Sequence, residues 1–171
     1  MLPAVLVNYQ KEYSVSDREI VDALYVAAGI GQVIASRAFI AGALGGCQAE
    51  IGSASAMAAG ALVSLRGGGE RQISHAAAMA LKNLLGLVCD PVGGLVEVPC
   101  VKRNVIGAVN ALSAADMSLA GIESRISPDQ VIDAMREVGE QMHPSLKETG
   151  EGGLAATPDA KNAFIFVEGL V

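Results

Sequence analysis

Ala49-Glu50-Ile51-Gly52-Ser53-Ala54-Ser55-Ala56-Met57-Ala58-Ala59-Gly60-Ala61-Leu62-Val63-Ser64-Leu65 is the stretch on which the reading of the fold turns. It is almost wholly Ala, Ser, Gly and Met, with no proline and a single charge. A helix of such small residues has little to show solvent and lets neighbouring backbones come close. Its cohesion comes from many small contacts, not from large rings. The whole chain follows suit: 51% of its 171 residues are hydrophobic and only 4% aromatic. This predicts an all-α bundle, one domain over residues 1–171, with helix 49–65 buried at its centre.

Working outward, Ser16-Asp17-Arg18-Glu19 is a capping box, a hydroxyl answered three residues later by a carboxylate. It starts a helix expected over Asp17–Ala41, read as buried. Gly45-Gly46 breaks the pattern before Cys47. A third helix is expected from Glu70 to Leu85 and a fourth from Lys102 to Ala120. Ser127-Pro128 caps a fifth that reaches Met142. Residues 1–13 show no cap and no turn. Between Cys89 and Cys100, two prolines and two glycines rule out a continuous helix and leave an irregular, cysteine-bearing loop. No period-2 strand pattern of useful length occurs. The tail ends in Phe164-Ile165-Phe166-Val167 before the last few residues.

The formal net charge of −6 and the lack of a basic stripe exclude nucleic acid as a natural partner. The apolar run Ile20–Gly46 is interrupted by Asp22, Gln32 and Arg37, so a buried helix is expected rather than a membrane span. No signal peptide is recognisable, and cytoplasm is the expected compartment.

The three cysteines, Cys47, Cys89 and Cys100, all fall at helix breaks. Near a helix N-terminus, free amides and the local dipole favour a thiolate. The spacing itself is open. Three buried thiols, a zinc site completed by His75 or His143, and an iron–sulfur cluster with one open iron all satisfy it. Arg66 and its glycines lack the Gly-Lys-Ser/Thr ending of a phosphate-binding loop. Asp90 is read as capping the turn that follows it.

Motifs go further than spacing. Gly46-Cys47-Gln48-Ala49-Glu50-Ile51-Gly52, the Leu85–Cys100 segment with Cys89-Asp90-Pro91-Val92, Arg103-Asn104, and Met142-His143-Pro144-Ser145 through Ala155 resemble the α domain of iron–sulfur L-serine dehydratases. The resemblance implies that Cys47, Cys89 and Cys100 hold a [4Fe–4S] cluster. It implies β-elimination of L-serine to pyruvate and ammonia, with a serine dehydratase β subunit or domain as partner, in an oligomer. Arg103 is a candidate for the substrate carboxylate or a cluster sulfide, and no catalytic base is indicated. Where such proteins commonly carry a His-His pair, this chain has Asn83-Leu84. Lys102 replaces a common acidic residue. The Thr-Ala-Pro-Thr-Asn-Gly-like stretch usual upstream of Pro3-Ala4-Val5-Leu6 does not precede it here, so another chain is expected to supply it unless this is a fragment. A cysteine desulfidase sharing the domain and an inactive truncated scaffold are the competing expectations.

Overall fold

Side-chain caps set where the long helices begin. In the computed structural model, which describes residues 1–162, the Ser16 hydroxyl accepts from the Glu19 amide while the Glu19 carboxylate accepts from the Ser16 amide. Helix α2 then runs over Asp17–Arg37. Ser127 likewise accepts from the Gln130 amide and opens a later helix with Pro128 at its first position. The Phe164–Val167 run lies outside the described residues.

The element order is α1 (Leu2–Tyr13), α2, a short α3 (Gly42–Gly45), a π-helical turn (Gln48–Gly52), α4 (Ser53–Leu65), α5 (Glu70–Lys82), the Cys89–Cys100 loop, α6 (Cys100–Leu119), α7 (Pro128–Gln141), two 3-10 turns, and α8 (Pro158–Asn162). No strand forms among the described residues, so the chain is all-α. The five expected helices are α2, α4, α5, α6 and α7. Helix α4 is the hub: α5, α2, α6 and α1 all pack on it. Its Ala58, Ala59, Ala61, Leu62 and Val63 are fully buried. A methyl group on Gly60 would stand 2.2 Å from Ile30 Cδ1 of α2. Only a glycine allows this approach.

Three expectations need correction. Residues 2–13 form helix α1, which buries Val5 and Leu6 against the core. They lack a side-chain cap, but Pro3 fits the first turn, where a missing N–H costs nothing. Helix α2 stops at Arg37, not Ala41, and the chain turns through Phe39 into α3. It is also not buried throughout. Ala23, Ala27 and Ile34 face α4, whereas Val21, Leu24, Tyr25 and Val33 are exposed. By length and composition α2 could cross a membrane.

Candidate metal centre

Cys47 sits just before the π-helical turn, after the Gly45-Gly46 break. Gln48 locks that turn in place. It is fully buried, its Nε2 donates to the Met135 carbonyl (3.0 Å), and its Oε1 accepts from the Gly86 amide (2.9 Å). Its own amide donates to the Leu87 carbonyl. The wider π turn carries Glu50 round to the side of Cys47. π turns inside helices are frequent at functional sites.

Cys89 arrives from the opposite side. Its amide donates to the Leu146 carbonyl (2.8 Å) and its carbonyl accepts from the Glu148 amide (2.7 Å). This isolated parallel bridge with Lys147 fixes the loop to the segment after α7. The Cys47 and Cys89 sulfurs and a Glu50 carboxylate oxygen lie within 4.8 Å of one another. Ile51, Leu84 and Leu87 pack around the two thiols. Glu50 is exposed and both cysteines are buried. A methyl on Gly42 would stand 3.1 Å from both Cys89 Sγ and Glu50 Oε1. The glycine therefore keeps this space clear.

Cys100 is the first residue of α6 and is buried, but it stands outside the 4.8 Å group. Arg103, one turn on, shares its face of the helix. Arg103 Nη1 donates to the Val88 carbonyl (2.8 Å) and to Asp90 Oδ1 (2.6 Å). The start of α6 is thereby held against the Cys89 segment. Asp90 does not cap the turn after it, as expected. Its Oδ2 instead accepts from the Leu154 amide (2.7 Å), capping a 3-10 turn distant in sequence.

Burial pushes both thiols' pKa values up. For Cys47 the rise is opposed by a hydrogen bond with Cys89 and by the positive charge of Arg103. For Cys89 the negative charges of Cys47, Glu50 and Glu148 add to it. The thiols thus lie in apolar surroundings, where a cationic group would offset their charge when ionised.

Neither histidine joins them. His75 Nδ1 accepts from the Ser124 amide, and His143 Nδ1 accepts from the Ser145 amide. Asn83 is tied to Asn110 (2.8 Å), and Leu84 packs on the thiols, so the Asn83-Leu84 departure leaves structural residues there. Glu50 is the participant that spacing did not expose. Its presence in the Cys47 motif was the signal, but only the π turn shows where it points.

Fold and site together define an all-α protein with a thiol-rich candidate metal centre built where three helix breaks converge. The family model of the serine dehydratase alpha chain matches residues 1–155, and the chain belongs to that family. It is 59% identical over 157 residues to the Probable L-serine dehydratase, alpha chain, of Latilactobacillus sakei, covering 92% of this chain and 75% of that protein. It is 51% identical over 157 residues to the L-serine dehydratase, alpha chain, of Peptoniphilus asaccharolyticus, covering 92% of this chain and 54% of that one. Against the L-serine dehydratase of Streptomyces coelicolor the identity is 46%, over 91% of this chain and 34% of the relative. The chain therefore spans between one third and three quarters of the relatives it matches.

Proposed function

We propose that this chain is the cluster-bearing part of an iron–sulfur L-serine ammonia-lyase, with Cys47, Cys89 and Cys100 holding a [4Fe–4S] cluster. The observation that carries the reading is the convergence of two buried thiols and one carboxylate beside a side-chain-free Gly42, in a chain of this family. Three thiols and no histidine form a soft donor set, which suits an iron–sulfur group. Bound there, such a cluster supplies Lewis acidity to a substrate oxygen at an iron without a protein thiolate.

The remaining work falls to the chain. Glu50 is the carboxylate that reaches the thiols and is the candidate to take the Cα proton of L-serine. Loss of that proton and of the β-hydroxyl as water leaves aminoacrylate, which hydrolyses to pyruvate and ammonia. Arg103, with Nη1 committed to Asp90 and Val88, orients the loop next to Cys89. A direct grip on the substrate carboxylate falls to its other nitrogens. A β subunit or domain is proposed to complete the site, in an oligomer working in the cytoplasm.

Iron and acid-labile sulfide per chain, measured after anaerobic reconstitution, test the cluster. About four of each are expected for a cubane. Pyruvate from L-serine, once the β part is restored, tests the reaction. Sulfide release from L-cysteine exceeding pyruvate formation would turn the assignment to a desulfidase. Absence of both activities would leave a scaffold.

A further inference from the structure

Among the described residues, one buried side-chain polar atom lacks a hydrogen-bond partner: Ser53 Oγ. Ser53 is 4% exposed. In a regular helix a serine hydroxyl can turn back to the carbonyl four residues earlier. Here the preceding turn is π-helical, and the hydroxyl is left over. A buried hydroxyl without a partner is costly to keep, so its position calls for a ligand.

Ser53 lines a groove of about 350 Å³ between α2 and the π turn, together with Gln32, Ala35, Ile40, Glu50 and Met57. That volume suits a small molecule, since such sites start near ~300 Å³. Glu50 belongs both to this groove and to the thiol group, so the groove opens beside the candidate metal centre. Its polar lining is of one kind. Glu50 offers a carboxylate, Ser53 a free lone pair and Gln32 an amide oxygen, while no Lys, Arg or His lines it. A carboxylate would be repelled there, and an ammonium group would be attracted.

We propose that this groove receives the α-ammonium group of the amino-acid substrate, Ser53 Oγ accepting one of its N–H bonds beside Glu50. The inference rests on the serine-elimination reading and deepens it. The substrate's oxygens face the thiol-bound group while its nitrogen lies in the groove. Cα is then held next to Glu50. Glu50 and Ser53, three residues apart, project from the same side of the chain's turn, at a separation that can bracket one small amino acid. Ser53 is a binding residue that sets the preference for amino acids over their hydroxy analogues.

The test uses the reconstituted holoenzyme with its β partner and compares L-serine with L-glycerate, which carries a hydroxyl where serine carries ammonium. Ser53→Ala is expected to raise KM for L-serine about tenfold, the scale of one hydrogen bond to a charged group. It should leave kcat within about threefold and the inhibition constant of L-glycerate unchanged, with iron content equal to wild type. Calorimetric titration with each ligand should show the same split. Ser53→Thr, which keeps the hydroxyl, should retain the preference. An unchanged KM, or equal weakening of both ligands, overturns the inference while wild-type turnover keeps the lyase reading intact. If the wild-type holoenzyme neither binds nor consumes L-serine, both fall.

Discussion

Arg103 Nη1 donates to Asp90 Oδ1 at 2.6 Å, joining the first turn of α6 to the residue after Cys89 in an ion pair whose side chains are 18% and 2% exposed. The loop bearing two cysteines is thus closed by a charge pair away from water. Asp90 is doubly committed, since its other oxygen caps the 3-10 turn at Leu154. Removing one partner of such a pair leaves a buried charge without compensation, typically costing about 3–5 kcal/mol. Asp90→Ala should lower stability on that scale in urea unfolding. The double variant Asp90→Ala/Arg103→Met should recover part of the loss, because no lone charge is then left behind.

The pair also shows what a sequence conceals. Asp90 and Arg103 were legible as motif members, but their partnership depends on how α6 folds back on the loop. Caps at Ser16 and Ser127 are local chemistry, written within four residues, so the starts of α2 and α7 could be read. Helix α4 could be read because a run of small residues has no stable place but the centre. Helix α1 has neither cap nor strong pattern, and only tertiary contact shows that Val5 and Leu6 are core residues. Glu50 faces the thiols through a π turn held by Gln48 and Leu87, a register that no local propensity specifies. Why the outer face of α2 carries so many apolar residues has no account in the contacts of this chain.

Gly42→Ala probes the clearance at the metal centre. Its methyl would meet Cys89 Sγ and Glu50 at 3.1 Å, tighter than ordinary contact. Overpacking of this kind costs about 1–3 kcal/mol, here concentrated at the ligands. Iron incorporated on reconstitution should fall severalfold, while the far-ultraviolet circular dichroism spectrum stays that of the wild type.

Cysteine replacement tests the ligand set directly. Cys47→Ser, Cys89→Ser and Cys100→Ser should each sharply reduce bound iron and sulfide after identical anaerobic treatment. Cys100 is the informative case, because it lies outside the tight group formed by the other two and Glu50. Full iron loading of Cys100→Ser would remove it from the ligand set and point to Glu50 as the third donor.

The metal-free chain should also lose stability at high pH. Burial raises the Cys47 and Cys89 pKa values above the ordinary thiol value of 9.0. Below that value both folded and unfolded chains hold these protons, and the contribution is fully present. Above it the unfolded chain releases them first, so stability declines as pH rises towards the folded values. The urea midpoint should hold steady from about pH 7 to 8 and fall from about pH 9 upward. The double variant Cys47→Ser/Cys89→Ser should show a flatter profile over the same range.

Ser53 gives a prediction in which stability and binding move in opposite directions. Its Oγ is buried without a partner, and an unsatisfied buried polar group costs about 1–3 kcal/mol. Ser53→Ala removes that group, keeps the small volume and improves helix propensity, so the ligand-free chain should become more stable. For a chain of this length a gain of about 1 kcal/mol corresponds to a rise in Tm of about 2–4 °C. A residue kept only for packing would not be expected to do better as alanine. A group held ready for a ligand would, since functional sites commonly sacrifice stability for binding. Differential scanning calorimetry of the ligand-free chain decides it: a raised Tm supports a reserved hydroxyl, and a lowered Tm means that Ser53 already has a stabilising role within the fold.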